Sequence, residues 1–578
     1  MIGSEPNDAG AFRTAAPGIT AGGAVLARMT QLGVAVVFVN SGTDFPPIIE
    51  GLAEAETHDV DVPRVVLVPH EHAAVGMAHG YYFATGRPQA VMLHTNVGLS
   101  NGATGAINAA TDHVPMLLMS GRTPTVEQDR FGARTVPIGW GQEMRDQTAL
   151  VREACKWDYE VRFPEQVPQV LDRAYAIADS TPRGPVYLSL PRELLCEPCP
   201  SDTLETPSAM AAADIVAPAA LIQQAADLLA GAERPVIFAQ RGAGSEAGFD
   251  ALARLADDWS IPVCQYWAVA TAISSDHPTY VGADPEPWIS DADVVLVIDS
   301  LAPWSPDVHR LDPNCRVIQL GPNPLYDRFP VRNFRADLSI TTEVGPALVE
   351  LDVALGRASS SAASELRRSR IDEHVRHRHT RLAELAQTPL DEPMSKAWVA
   401  SRVGAAIAGR PATVISELGC PLDALELTAH GSWRQEPHSG GLGWGLPCAM
   451  GIKLADPERL VLATMGDGSY MFANPVVCHQ VAEAHDIAVL TIVLNNGGYG
   501  AVAHSVLGMY PSGYASKSDD VPLTQLAPSP DFAKVAEASR AHAETVTSAT
   551  EFDGALERAI RVVTEDRRQA LLDVHIVD

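Results

Sequence analysis

VLATMGDGSYMFANPVVCHQVAEAHDIAVLTIVLNNGGYG, residues 461–500, decides how the rest of the chain is read. The apolar run 461–465 has the pattern of a buried strand and stops at Gly466-Asp467-Gly468. A helix-forming segment follows, and a second apolar run, 487–494, stops at Asn495-Asn496. Two neighbouring parallel strands would then carry an acid and an amide at their carboxyl ends, where open α/β sheets hold ligands. Asp467, the side-chain oxygen of Asn496 and a backbone carbonyl at Gly498 form an all-oxygen set suited to Mg2+ or Ca2+, with diphosphate oxygens completing the shell. Gly466 and Gly468 let phosphate approach the backbone, and Ser469 offers an N–H and a hydroxyl. Phe472-Ala473-Asn474-Pro475 is expected to reshape the start of the helix without moving these ligands. Either turn alone would be ordinary; two of them, each closing an apolar strand with one helix between, are specific.

A chain of 578 residues exceeds what one core serves, and three domains are expected. Apolar residues make up 46% and charges of both signs are dispersed, as in a globular protein. A net charge of −29 argues against nucleic acid or an anionic membrane as partner. The eight cysteines sit mostly in apolar surroundings, as at Cys264, Cys448 and Cys478, which suits a reducing compartment. Cys196-Glu-Pro-Cys199 lacks a second pair or histidine partners and reads as linker. No basic-apolar leader opens the sequence, and no stretch approaches the roughly 18 continuous apolar residues of a membrane span. A cytoplasmic location is expected.

Residues 1–17 read as a loose arm. Over 18–192 strands and helices alternate: helix 21–32, strand 34–40, strand 65–69, helix 72–85, strand 90–94, helix 100–111, strand 116–120 and a closing strand over 184–191. An acidic, Pro-rich linker over 193–217 leads into a central unit, 218–355, with strands at 234–238, 262–263, 294–298 and 317–320. Its loop Arg241-Gly-Ala-Gly-Ser lacks the third glycine and the following acid of a dinucleotide fingerprint. A charged, surface-exposed helical linker is expected over 356–393, and the third unit spans 394–578. The fold class is α/β: three doubly wound units with mostly parallel sheets, the first and third sharing a similar strand-helix rhythm.

The paired turns at Asp467 and Asn496 resemble the cofactor motif of thiamine diphosphate (ThDP) enzymes. Such a cofactor also needs a carboxyl hydrogen-bonded to N1′ of its aminopyrimidine, and a buried glutamate just past an apolar strand suits that exchange. Glu71 holds that place in RVVLVPHEHAAVGMAHGYYFATGR, residues 64–87. This run resembles the activating-glutamate helix of the acetolactate synthase and benzoylformate decarboxylase family. Ser439-Gly-Gly-Leu-Gly-Trp-Gly-Leu-Pro447 is similar to the loop that bends the cofactor in that family. The resemblance makes Leu442 the wedge and the Gly440 carbonyl the acceptor of the 4′ amino group, and adds Tyr499 to the cofactor set. It covers roughly residues 20–570, including Lys156–Tyr159 and 184–191. It implies a pyrimidine-binding first unit, a diphosphate-binding third unit, and sites between subunits of a homodimer or homotetramer.

The same resemblance implies a proton relay at His94, in Met92-Leu-His-Thr-Asn-Val-Gly-Leu-Ser-Asn101, and a substrate-facing hydroxyl at Thr43. His113 is a further catalytic candidate, with His70 and His309 behind it. Two features depart from the pattern. Ser505 stands where the decarboxylase has an aromatic substrate wall, which leaves His504 facing substrate or solvent, and Arg122 replaces the usual glutamine of acetolactate synthases. FAD is not expected, since the central unit shows little of its binding pattern. Pocket walls are expected from loops 130–146 and 506–520. The implied reaction is decarboxylation of a 2-oxo acid, with carboligation as a second outcome. The alternatives are an acetolactate synthase-like carboligase, a lyase acting on a 2-hydroxy ketone or 2-hydroxyacyl thioester, and a catalytically silent regulatory homologue.

Overall fold

The structure, a computed structural model, describes residues 19–577 apart from 201, 207, 209, 358–362, 388–392 and 519. The arm expected over 1–17 lies outside the described residues. The first sheet contains β1 (Val36–Val39), β2 (Arg64–Leu67), β3 (Gln89–Leu93), β4 (Met116–Arg122), β5 (Asp158–Glu160) and β6 (Pro185–Pro191), in the order β2-β1-β3-β4-β6-β5. The second contains β7 (Pro235–Ala239), β8 (Val263–Cys264), β9 (Val294–Ile298), β10 (Arg316–Gly321) and β11 (Leu338–Thr341), in the order β11-β10-β9-β7-β8. The third contains β12 (Ala412–Glu417), β13 (Trp433–Gln435), β14 (Leu460–Gly466), β15 (Leu490–Asn495), β16 (His542–Val546) and β17 (Ala570–His575), in the order β13-β12-β14-β15-β17-β16. All pairings among these strands are parallel. Counted within each sheet, the first and third have one identical order, so the shared rhythm of the two units is a shared topology.

Parallel strands covered by helices on both faces must be apolar throughout, and β9, Val-Val-Leu-Val-Ile, is buried along its whole length. The chain order reverses between β1 and β3, and again between β12 and β14, the points where sheets of this kind hold ligands at the strand carboxyl ends. Local differences from the expected elements have local causes. The strand expected from residue 487 begins at Leu490, because the Ile487 N–H turns back to the Ala482 carbonyl at 2.8 Å and closes the preceding helix. The helix expected from residue 100 begins at Thr95, directly after His94. After Gly466 the helix is broken into Asp467–Phe472 and Pro475–Ala484 by Asn474 at φ 52°, the reshaping that Phe472–Pro475 predicts.

First and third units pack through two helices, Glu71–Thr85 and Gly445–Ala455, inside one continuous apolar cluster. Their backbones touch because glycines face carbonyls. A Cβ on Gly80 would lie 1.9 Å from the Cys448 oxygen, and one on Gly451 would lie 2.0 Å from the Met77 oxygen. The charged helix Ala363–Ala386 is less exposed than expected, since Arg367 and Arg378 are buried. Arg367 donates to the carbonyls of Trp259 (2.7 Å) and Ser260 (3.2 Å), which end a helix and lack intrahelical partners. Among the described residues no helix is long and apolar enough to cross a membrane.

Candidate active site

At the end of β14 the Asp467 carboxylate is buried, and its Oδ1 accepts from the Gly468 N–H at 2.8 Å while its Oδ2 has no hydrogen-bond partner among the described residues. Burial pushes this carboxyl up, and the amides of Gly468, Gly497 and Gly498 oppose the shift. The two asparagines ending β15 divide their work. Asn495 turns into the sheet, donating to Asp573 Oδ1 at 3.0 Å, whereas Asn496 Oδ1 accepts from the Gly498 N–H at 3.2 Å. Ser469 Oγ is a second buried polar atom without a hydrogen-bond partner among the described residues. Gly468 has no room for a side chain, because a Cβ there would lie 2.7 Å from the Tyr499 ring. Among the described residues no three His, Cys, Asp or Glu side chains converge to hold a metal. The set expected from the sequence, Asp467, Asn496 and the Gly498 carbonyl, has only one carboxylate, so a cation held there would need anionic oxygens from its ligand. A metal-bound diphosphate fits that shortfall and the two orphaned atoms.

Glu71 opens its helix, buried, with both carboxyl oxygens occupied: Asn40 Nδ2 donates to Oε1 at 2.8 Å and Asn101 Nδ2 to Oε2 at 3.1 Å. Neutral amides hold it rather than a cation. Gly98 keeps the floor open, since a Cβ there would lie 3.1 Å from Glu71 Oε1. His94 stands at the end of β3, its Nδ1 hydrogen-bonded to Asp44 Oδ1 and its Nε2 3.0 Å from the Gln142 amide nitrogen. The bond to Asp44 raises the imidazole above its usual value, burial opposes this, and the charges of Asp44 and Glu71 add to the rise.

His70 stays beside Glu71 as the residue capping its helix, whereas His113, His309 and His504 lie on other elements. His113 follows the C-terminal end of helix Thr95–Thr111, and Asn101 meets Glu71 near the N-terminal end, so the length of the helix lies between them. His113 lines a cavity of about 180 Å³ with Arg241 and Arg434, where burial lowers it to about 4. Thr43 is exposed, and its carbonyl accepts from Arg192 Nη1 at 3.1 Å. His309 Nδ1 accepts from the Ser305 N–H at 3.1 Å, a contact within its own loop. His504 is exposed on helix Gly500–Met509. Arg122 is engaged by Glu160 and, at 2.8 Å, by Glu143.

The loop with Gly440 and Leu442 is held from two sides. Glu417, fully buried at the end of β12, accepts from the amides of Gly443 (2.6 Å) and Gly445, and burial pushes its carboxyl up to about 8 against the anion-favouring amides. From the first unit Asn108 Nδ2 donates to the Gly441 carbonyl at 2.8 Å, and Ser439 Oγ donates to Asn108 Oδ1 at 2.7 Å. Gly440 and Gly443 take φ 66° and 88°, which only glycine adopts freely. The Gly440 carbonyl accepts from the Leu442 N–H at 3.0 Å and keeps a second lone pair for a ligand. Asn40, Asp44, Asn101, Asn108, Gln142 and Glu417 were not legible as site residues, because each partners a residue distant in sequence or in another element.

Comparison with known proteins agrees with this geometry. Residues 19–150 match the thiamine pyrophosphate enzyme N-terminal TPP binding domain, 222–351 the central domain, and 420–574 the C-terminal TPP binding domain. A Pseudomonas aeruginosa protein named "Probable 2-ketoarginine decarboxylase" is 28% identical, over 94% of this chain and 91% of its own. Benzoylformate decarboxylase of the same organism is 26% identical, over 91% of this chain and 94% of its own. The mitochondrial acetolactate synthase catalytic subunit of Saccharomyces cerevisiae is 25% identical, over 94% and 79%. In fold, the chain matches the Rhodococcus jostii RHA1 thiamine diphosphate-dependent 4-hydroxybenzoylformate decarboxylase with a TM-score of 0.75 at 22% identity, over 96% of this chain and 98% of that one. With three thiamine pyrophosphate domains in succession, each on its own parallel sheet, the chain belongs to the thiamine diphosphate-dependent enzymes of the 2-oxo acid decarboxylase and acetolactate synthase family.

Proposed function

We propose that this enzyme decarboxylates a 2-oxo acid with thiamine diphosphate and Mg2+, in benzoylformate decarboxylase-like chemistry with carboligation as a second outcome. Ca2+ fits the same oxygen set. Bound thiamine diphosphate supplies a nucleophilic carbon and an electron sink. Asp467, Asn496 and the Gly498 carbonyl would hold the metal, and Gly466, Gly468, Ser469 and Tyr499 surround the diphosphate. Glu71 would exchange a proton through a carboxyl group whose two oxygens are each held by one asparagine amide. Gly440 and Leu442 present an acceptor and an apolar wedge on the loop that Glu417 and Asn108 pin.

The observation that carries the decarboxylase reading is His94, a titratable donor raised by Asp44 and acted on by the charge of Glu71. Release of an aldehyde requires a proton at the carbon that loses CO2, and an imidazole whose proton affinity is raised by its carboxylate partner can deliver it. The two bacterial relatives named above act, by name, on 2-oxo acids. Incubation with ThDP, Mg2+ and a panel of pyruvate, benzoylformate and a 2-oxo acid ending in guanidinium, with CO2, aldehyde and acyloin followed together, tests the reading. CO2 with aldehyde is the expected result; acyloin as the sole product would sink it.

The second reading is an acetolactate synthase-like carboligase, or a lyase of a 2-hydroxy ketone or 2-hydroxyacyl thioester. The small, exposed start of helix Gly500–Met509, Gly-Ala-Val-Ala, favours it by leaving room for a second or larger substrate. A silent homologue finds no support in a site where Glu71, Leu442, Asp467 and Asn496 are all present. A homodimer or homotetramer with sites between protomers is supported by exposed apolar side chains on the site's own elements, Val97, Phe472, Val476, Val502 and Met509. Eight cysteines with no disulfide among the described residues support a cytoplasmic setting.

A further inference from the structure

We propose that Asp44 is a positioning residue: it holds the His94 imidazole with the proton on Nδ1, so that Nε2, which Gln142 meets, is the nitrogen that takes up and gives back a proton. This deepens the reading above and rests on His94 acting there. The geometry supporting it has three independent parts. Asp44 is buried at the carboxyl end of β1, with Oδ1 on His94 Nδ1 and Oδ2 accepting from the Thr95 N–H at 3.2 Å. Both oxygens are thereby committed, one to the ring and one to the backbone beside it. At the opposite edge of the ring the Gln142 amide nitrogen lies 3.0 Å from Nε2, a contact that is a hydrogen bond when Nδ1 carries the proton and Nε2 accepts.

Two glycines provide the space. A Cβ on Gly42 would fall 2.2 Å from His94 Cγ and Nδ1, and one on Gly121 would fall 1.6 Å from Asp44 Oδ2. Neither glycine is needed for a left-handed backbone, since neither has positive φ. Their missing side chains are filled by the imidazole and the carboxylate. The charged groups acting on His94 are Asp44, after β1, and Glu71, at the start of its helix, and both favour the imidazolium. The Gln142 amide can present its nitrogen to the neutral ring or, after a flip, its oxygen to the charged one, so the ring stays oriented in both protonation states.

Asp44→Asn separates this role from simple support of the backbone. The amide oxygen can still accept from the Thr95 N–H, but an NH2 group facing Nδ1 requires that nitrogen to be an acceptor. The proton then moves to Nε2. Histidine 15N NMR, with the His94 resonance assigned by its loss in His94→Gln, should show a protonated Nδ1 in the wild type and a protonated Nε2 in Asp44→Asn. In Asp44→Asn, kcat should fall by about 10²–10⁴-fold with a smaller change in KM. The alkaline limb of the kcat profile should also move down by about one pH unit or more. In the His94→Gln background the same substitution should cost almost nothing further. A wild-type ring protonated on Nε2, or an equal further loss in the His94→Gln background, overturns the proposal for Asp44. Full turnover in His94→Gln overturns the reading of His94 itself.

Discussion

Glu71 and Asp467 are both buried carboxyls at strand-helix junctions, and their surroundings set opposite expectations. Glu71 has its two oxygens filled by asparagine amides. Asp467 has one oxygen filled and one left open. Glu71→Gln keeps the shape of the site and can still hold cofactor, so calorimetry should find ThDP bound with Mg2+ while turnover falls by about 10²–10⁴-fold. Unchanged turnover would remove Glu71 from the mechanism. Asp467→Ala deletes the one carboxylate of the cation set, and the expected result is loss of both the binding heat and the thermal stabilisation by ThDP and Mg2+. Stabilisation equal to the wild type would place the cation elsewhere.

Two elements decide whether these residues share one geometry. The glycine loop 439–445 takes its shape from Glu417, and in Glu417→Gln an NH2 group would face one of the two amides that the carboxyl now satisfies. An unsatisfied buried donor costs about 1–3 kcal/mol, so ThDP should bind more weakly and the melting temperature should drop, with secondary structure unchanged by circular dichroism. Wild-type cofactor affinity in this variant would mean that the loop keeps its shape without the clamp. The crossing of helices Glu71–Thr85 and Gly445–Ala455 depends on Gly80 and Gly451 meeting carbonyls. Gly451→Val should destabilise by about 1–3 kcal/mol through overpacking, read as a lower urea midpoint. An unchanged midpoint would show that the helices can part without cost.

At the scale of the molecule, two sheets of identical strand order each reverse direction at one point, with Glu71 and His94 near the strand carboxyl ends of one and Asp467 and Asn496 at those of the other. If sites form between protomers, Glu71 of one copy works with Asp467 of the other. Glu71→Gln and Asp467→Ala, each inactive alone, should then regain activity when mixed under conditions that exchange subunits, because one site of each hybrid pair has both residues intact. A mixture as inactive as its parts, with hybrids demonstrated by mass, would place each site within a single chain.

Reading the residues in order was enough for the α/β class, the strands β14 and β15, and the places of Asp467, Asn496 and Glu71. Each of those rests on a run of apolar residues ending in glycine, acid or amide, a pattern only a few residues long. The partners of these groups were hidden, since Asn101 reaches Glu71 across 30 residues and Gly443 reaches Glu417 across 26. His113 shows the converse: near His94 in sequence, it is carried away by the intervening helix to a cavity between units. The identical order of the two outer sheets and the seating of His94 between Asp44 and Gln142 came only with folding, because hydrogen bonds and close packing join atoms by position in space, whatever their separation along the chain.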